Sequence, residues 1–524
     1  NSSSGLSMSV YDSYVKAFRW ASNRIGNQGV IGFITNSGYL DSNSTDGLRY
    51  SLYNEFNEIY VLNLRGAIRG RSGILAKKEG QNVFDIMTGV SIIILIKNGT
   101  NKHNIYYHDI GDFLSRKEKL STIQKLNSIE KITWEKIIPD ENNDWINQRD
   151  PKYKSYTKMS GGENSVFNLN AIGVKTNRDM WVSGFSKIKV LKRVSDMINY
   201  YNVSLDKAQS YKELDKNKIK LSDKLIKLFS NGQSLSLNSS NLRLEMYRPF
   251  TKKWLMYDNK LVDRPGKWLN SWGENNLTIV TSGRGASKNF SVYISDLIPC
   301  MDLLEKAQGF MRYDNSDQST QLIKKYDNLN QKFADKIGLN LDNTFKYVYG
   351  LLNSKEYQAK YTNDLKKDLA RIPIVKDKEK YVEIGKKLMD LHLNYEEVPM
   401  YEGASIESKN DPSYKVKKMK FAKVRNAETG KLEKDRSTII FNTDITIKNI
   451  PEKAYEYVVN GKSAIEWIMD QYQGKTDKKS GITDDPNDFS DDPKYIFNLL
   501  LRIINVSVQT VDLVNSLPKL EIIE

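Results

Sequence analysis

The sequence predicts a mixed α/β fold. Part of an α/β sheet is expected over residues 1–108, a connector over 109–160, and an α+β region over 161–400 that runs into a largely helical stretch over 401–524. Three observations carry this. Between 11 and 96 the apolar residues switch repeatedly between helical spacing and strand-like runs. Beyond about 160, short runs of strand formers are broken by Gly, Asn and Ser. Helical spacing then returns at 345–370, at 378–395 and near the C-terminus.

Tyr14, Phe18, Ala21 and Ile25 fall at i, i+4, i+7 and i+11, the stripe of an amphipathic helix across 11–25. Gly26 to Gly29 turn the chain into Val30-Ile31-Gly32-Phe33-Ile34-Thr35, a run of strand formers. Leu48, Leu52 and Phe56 mark a helix from Asp46 to Phe56, and Ile59 to Leu64 a second strand. A glycine-rich basic loop, Arg65 to Gly80, precedes Val90 to Ile96, whose nearly continuous apolar run reads as a strand buried on both faces. This rhythm is that of the second half of an α/β sheet. The stretch 109–160 is charged and polar, with one helix expected from Phe113 to Leu120 and with Trp134 and Trp145 along it.

Helices are expected at 186–230, followed by a polar loop from Gly232 to Asn241. Tyr381, Ile384, Leu388 and Leu391 share one face of the 378–395 helix. Ser463-Ala464-Ile465-Glu466 is a capping-box pattern opening a helix that carries Trp467 and Ile468. An Asp/Pro-rich loop, Asp484 to Pro493, precedes a final apolar helix from about Tyr495 to Val514, with Pro518 beyond its end.

Composition narrows the function. The 524 residues carry 79 Lys+Arg against 64 Asp+Glu, a formal charge of +15, and 30 Tyr, 17 Phe and 8 Trp. That is enough apolar and aromatic material for real cores. One cysteine, Cys300, excludes a disulfide scaffold, and three histidines (His103, His108 and His392) argue against a histidine-rich metal site. His103 and His108 are expected on opposite faces of a strand, and His392 as a packing or capping residue. The acids Asp484-Asp485 and Asp491-Asp492 read as solvated loop residues. Apolar runs fall short of the ~20 residues that span a bilayer. Together with the cysteine usage this gives the expectation of a cytoplasmic protein with no membrane partner. The chain opens on Asn1 rather than Met, and a fragment of something longer is expected. Basic residues cluster beside aromatics and glycines, as in Arg65-Gly66-Ala67-Ile68-Arg69-Gly70-Arg71 and Lys252-Lys253-Trp254. Such clusters fit phosphate neutralisation with base stacking, and they equally fit a solvated surface.

No phosphate-loop, H-E-x-x-H or G-x-S-x-G pattern occurs. A resemblance does emerge from a series of short motifs. Gly29 to Tyr39, Leu48-Arg49-Tyr50-Ser51-Leu52, Val61 to Gly66 and Asn82 to Ile92 resemble the back half of an adenine-N6 DNA methyltransferase of the γ arrangement. Tyr247-Arg248-Pro249-Phe250, Trp254, Tyr257-Asp258 and Arg264-Pro265 are similar to the target-recognition region of single-chain Type ISP restriction–modification enzymes. So are Leu352 to Tyr357, Arg371-Ile372-Pro373, Leu391-His392-Leu393, Tyr457 to Gly461, Ser480-Gly481-Ile482, Asp485-Pro486-Asn487 and Val506-Ser507-Val508.

The resemblance implies a partial Rossmann-like methyltransferase sheet followed by a target recognition domain with a helical C-terminal part. It also implies a longer prokaryotic parent that methylates adenine N6, cleaves unmethylated DNA after ATP-driven translocation, and uses S-adenosylmethionine and ATP with Mg2+. The family's Asn-Pro-Pro-Tyr tetrad does not occur in this sequence. No cofactor and no catalytic residue are therefore expected in this chain alone. Its partners are expected to be double-stranded DNA and N-terminal modules of the same polypeptide.

The family flips its target base out of the duplex, and Phe84 stands where an aromatic stacks on that base. DNA contacts are expected from Arg65, Arg69, Arg71, Lys77 and Lys78 in the loop, and from Arg248, Lys252, Lys253, Arg264, Lys267, Arg284 and Lys288 downstream. For Arg248 a buried structural role is the competing reading. Two other functional readings stay open at this point: a methyltransferase subunit completed in trans by another chain, and a non-enzymatic nucleic-acid-binding adaptor.

Overall fold

A computed structural model describes residues 10–69, 73–273, 275–315, 326–427 and 430–524. The chain divides into two compact units. The first comprises Asn1–Ser155, Arg284–Asn289 and Tyr361–Asp368; the second comprises Tyr156–Gly283, Phe290–Lys360 and Leu369–Glu524.

The first unit follows the expected rhythm. Its elements are α1 (Ser13–Ser22), β1 (Gln28–Asn36), α2 (Asp46–Glu55), β2 (Glu58–Arg65), α3 (Gly73–Lys78), β3 (Val90–Asn98), β4 (Asn104–Asp109), α4 (Arg116–Leu126) and β5 (Glu135–Ile137). The strands form one sheet in the order β1-β3-β2-β4-β5. β3 runs antiparallel to both β1 and β2, while β2 and β4 are parallel, so the sheet is mixed. Phe18, Leu52, Phe56, Ile59, Val61, Ile93 and Leu95 pack into one core on one side of it. A smaller cluster of Leu62, Leu64, Val83, Val90 and Ile110 covers the other side. β3 is consequently less uniformly buried than its sequence implies: Ile93 and Leu95 are buried, Ile92 and Ile94 half-buried.

Two local expectations shift. The helix expected at Phe113–Leu120 begins later, because Ser115 and Glu118 form a reciprocal capping box that fixes its first turn at Arg116. Residues 109–155 are not a draped connector: β5 extends the sheet, and Trp145 is buried in its core against Tyr39. Arg49, fully buried on α2, donates to Asp144 at 2.9 Å and to the carbonyls of Tyr39 and Ser42. Asp144 also pairs with Arg149 at 3.1 Å and with Lys367 at 2.9 Å.

Among the described residues, the second unit holds three four-stranded sheets, four two-stranded pairings and most of the long helices. Its helices include α5 (Lys187–Asp206), α6 (Leu341–Asn353) and α7 (Lys378–Leu393). β6 (Leu242–Arg248) and β7 (Thr251–Met256) form an antiparallel hairpin at the centre of one sheet. α6 and α7 approach closely because both are glycine at the crossing. A Cβ at Gly350 would sit 2.3 Å from the carbonyl oxygen of Tyr381, and one at Gly385 2.1 Å from that of Lys346.

The C-terminal stretch contains the expected helices, α8 (Ala464–Gln471) and α9 (Tyr495–Asn515), and α8 opens on the expected capping box. It also contains an unexpected sheet. β8 (Ser405–Ser408), β9 (Lys420–Arg425), β10 (Leu432–Ile440) and β11 (Ile445–Lys448) are ordered β8-β11-β10-β9, all antiparallel. Residues 401–524 are therefore α+β rather than largely helical.

α9 is, among the described residues, the one helix long and apolar enough to cross a membrane. Here it is a core helix, with Leu499, Leu500, Ile503, Ile504 and Val506 buried. His392 cross-links three helices. Its ring bonds the Tyr349 hydroxyl at 2.7 Å and the Thr510 hydroxyl at 2.8 Å, and it stacks on Tyr457. Burial pushes its imidazole down to about 3. His103 and His108 each bond a backbone carbonyl, of Phe56 and Thr133 respectively.

Candidate nucleic-acid interface

In the first unit the residues after β2 and before β3 are folded against each other. The ladder bulges between Asn63 and Arg65, and Asn63 caps the Arg65 amide at 3.0 Å. The amides of Ile68 and Arg69 then both donate to the Met87 carbonyl, at 3.1 and 3.0 Å. Buried Asn82 is the hub. Its Oδ1 accepts from the Phe84 amide at 2.9 Å, and its Nδ2 donates to the carbonyls of Thr88 at 2.7 Å and Gly66 at 3.2 Å. Gly66 has φ +86°, and a Cβ there would meet Asn82 at 2.7 Å, so only glycine fits this approach.

The pinch turns three apolar side chains outward. Phe84, Ile86 and Met87 are 55%, 46% and 57% exposed. Three neighbouring large apolar groups are left in water, with the Arg69 amide hydrogen-bonded to the same turn. Phe84 is thus not a core residue.

The other loop residues divide. Arg65 is half-buried and spent on Asp109 at 2.6 Å and Asp112 at 2.5 Å. Burial opposes its charge, but the two carboxylates prevail and raise its pKa. Arg69, Lys77 and Lys78 are exposed, Lys78 lying 3.5 Å from Asp112. Arg71 lies outside the described residues. Lys119, which sequence reasoning did not single out, is buried under the loop and holds the carbonyls of Leu64 and Glu79 at 2.9 and 2.8 Å. Burial, reinforced by Arg65, brings its ammonium down to about 8. Of the two later residues of this unit expected to contact DNA, Arg284 is exposed and pairs with Asp368 at 3.0 Å, and Lys288 is half-buried.

In the second unit three expected DNA contacts are corrected. Arg248 lies over the Tyr247 ring and donates to the Tyr247 carbonyl at 2.6 Å and the Cys300 sulfur at 3.3 Å. Lys252 pairs with Glu396 at 2.7 Å and faces the Tyr395 ring. Lys253 pairs with Asp484 at 2.7 Å, its Nζ between the rings of Phe185 and Tyr247. All three point into the protein because β6 and β7 turn these positions toward the unit's own aromatics. Asp484 is buried and also accepts from the Phe185 amide at 2.9 Å, so it is no solvated loop acid. Cys300 is buried too, which pushes its thiol up to about 12.

Arg264 and Lys267 remain exposed. Arg264 pairs through its backbone with Lys175, a residue on the wall of a cleft of about 870 Å³. That cleft also presents Lys212, Lys216, Lys220 and Lys479, with Asp179, Asp302 and Asp477. These lysines sit in loops around Tyr211 and Ser480 and carry no motif, so spacing alone does not single them out. Among the described residues no group of three or more His, Cys, Asp or Glu is placed to hold a metal ion.

Residues 165–499 match the profile of the Type ISP C-terminal specificity domain, and the chain belongs to that family. Among solved structures it resembles a nuclease-deletion mutant of the Type ISP restriction–modification enzyme LlaGI in complex with a DNA substrate mimic. The identity is 45% and the TM-score 0.88, over 100% of this chain and 49% of that one. It also resembles the ATP-dependent Type ISP enzyme LlaBIII bound to DNA (43% identity, TM-score 0.89, 99% of this chain and 35% of that one). A third likeness is to a DrdV–DNA complex (26% identity, TM-score 0.83, 99% and 53%). The chain thus spans about half, or less, of the length of these three proteins. Among curated proteins there is no match.

Proposed function

We propose that this chain is the part of a Type ISP restriction–modification enzyme that grips duplex DNA and selects its sequence. The observation that carries the reading is the likeness, at 45% identity over 100% of this chain and 49% of that one, to a nuclease-deletion mutant of LlaGI in complex with a DNA substrate mimic. In this reading the first unit is the back half of an adenine-N6 methyltransferase domain, and Phe84 stacks on a flipped adenine. Supporting that role, the ring stands in water on a turn held by Asn82, with Ile86 and Met87 beside it. A base unstacked from the duplex gains about 1–3 kcal/mol from such a ring. Arg69, Lys77 and Lys78 neutralise phosphates around it, and Arg264, Lys267 and the lysines of the Lys175 cleft do the same in the second unit. S-adenosylmethionine, ATP and Mg2+ belong to modules outside these 524 residues, and no residue here is assigned to them.

The test is selection from a randomised duplex library, then titration of the selected and scrambled duplexes at fixed salt. A selected duplex should bind about 10³-fold tighter or better than a scrambled one. Equal affinity for all duplexes and for single strands would sink the reading. Labelled S-adenosylmethionine should yield no methylated adenine with this chain alone.

A further inference from the structure

We infer that the β9–β10 hairpin is a DNA-binding arm that enters the major groove of the duplex. The inference rests on the DNA-reading role just proposed.

β10 pairs with β11 only at Ile439 and Ile440. Beyond that point the ladder shifts: Phe421 pairs with Ile439, but Ala422 pairs with Asp435. Arg436, Ser437 and Thr438 bulge out, and the Asp435 carboxylate holds the bulge by accepting from the Ser437 amide at 2.9 Å and hydroxyl at 2.6 Å. A bulge bends and twists a strand, and the part of the hairpin beyond it has no third strand paired beside it. What projects is a two-stranded ribbon, Ala422 to Arg425 against Leu432 to Asp435. At about 3.4 Å per residue it reaches roughly 14 Å, against a major groove about 12 Å wide and 8.5 Å deep that admits such a ribbon.

The two faces of the ribbon differ in charge. Lys423 stands directly opposite Lys434, and Arg425 opposite Leu432, on one face. Val424 stands opposite Glu433, and Ala422 opposite Asp435, on the other. Like charges directly opposite destabilise a strand pair, and a two-stranded ribbon is marginal to begin with. Lys423, Arg425 and Lys434 are nevertheless all exposed, with Leu432 60% exposed beside them. Lys417, Lys418 and Lys420 extend the basic stretch at the ribbon's base. An apolar side chain flanked by cations is the pattern that duplex DNA complements: phosphates relieve the lysine repulsion, and Leu432 meets base edges such as thymine methyls.

The test uses the 524-residue chain and its selected duplex. Lys423→Ala/Arg425→Ala/Lys434→Ala should lower the slope of log affinity against log salt by about 2–3 and weaken binding tenfold or more at 0.1 M salt. Glu433→Gln, on the opposite face, should bind as tightly as the parent or tighter. Dimethyl sulfate protection of guanine N7 by the unmodified chain should show a major-groove patch that the triple variant loses. Melting temperature checks the variants, and protection by the unmodified chain stands even if the triple variant unfolds. If the parent chain selects a duplex but the folded triple variant keeps its slope and affinity, the arm is wrong and DNA reading survives. Absence of any protected major-groove patch, or equal weakening by Glu433→Gln, likewise overturns the arm. If the parent selects no duplex, both readings fall.

Discussion

Replacing Lys253 with methionine separates two roles that a basic residue beside Trp254 can have. In the fold its Nζ lies 2.7 Å from Asp484 and within 5 Å of the Phe185 and Tyr247 ring centres. The side chains of the pair are only 12% and 7% exposed. Methionine fills nearly the same volume, so little cavity penalty arises. What remains is a buried carboxylate without its cation, which costs about 3–5 kcal/mol. A second change, Asp484→Asn, removes that charge while keeping an oxygen for the Phe185 amide, so Lys253→Met/Asp484→Asn should recover most of the loss. Urea denaturation followed by tryptophan fluorescence measures each step. The salt slope of DNA binding, measured on the folded variants, should stay at the parent value. A phosphate contact behaves the other way: unchanged stability, with a slope lower by about one. That outcome would refute the assignment of Lys253 to the interior.

Phe84→Ala should change stability by less than ~0.5 kcal/mol because the ring is largely in water. It should also cost about 1–3 kcal/mol of affinity for a duplex with an unpaired adenine in the selected site; unchanged affinity for that duplex would exclude stacking. Asp144→Ala leaves buried Arg49 and Lys367 without their carboxylate and should destabilise the first unit by about 3–5 kcal/mol, read by thermal denaturation. His392 titrates near 3 in the fold against about 6.5 unfolded, so the unfolded chain takes up the proton first as pH falls. Its contribution is complete above pH 6.5 and is lost toward pH 3, with a slope of up to ~1.4 kcal/mol per pH unit. His392→Gln should flatten the stability profile between pH 6.5 and 4 by that component.

The elements that the sequence displayed best are those whose signal is local. The capping box at Ser463 and Glu466, the apolar run of β3 and the stripe of α7 each lie within one element, and each forms where expected. The β9–β10 ribbon did not show, because Lys-Phe-Ala-Lys-Val-Arg and Leu-Glu-Lys-Asp-Arg carry no consistent apolar face: both faces of the ribbon meet water. The roles of single basic residues were the least legible. Lys253 finds its carboxylate 231 positions away and Lys252 its own 144 positions away, and no window of sequence contains either pair. For Phe84 the resemblance pointed to an aromatic of functional use, while its exposure depends on Asn82 pinching the turn, which is a matter of hydrogen bonds rather than spacing.

A net charge of +15 therefore overstates how directly composition reports on DNA. Arg49, Lys119, Arg178, Lys253 and Lys367 contribute to that total, yet each is held inside its unit by carbonyls or carboxylates. Phosphates exchange counterions with the cations that remain in water, and among these the structure groups three sets: Arg69 with Lys77 and Lys78, the lysines around the 870 Å³ cleft, and the ribbon's Lys423, Arg425 and Lys434. Each phosphate contacted lowers the salt slope by about 0.9. Charge reversal within one set should then reduce the slope by no more than that set's own cations, and reversals in different sets should add. A buried arginine substituted for comparison would lower stability and leave the slope of the surviving folded protein where it was.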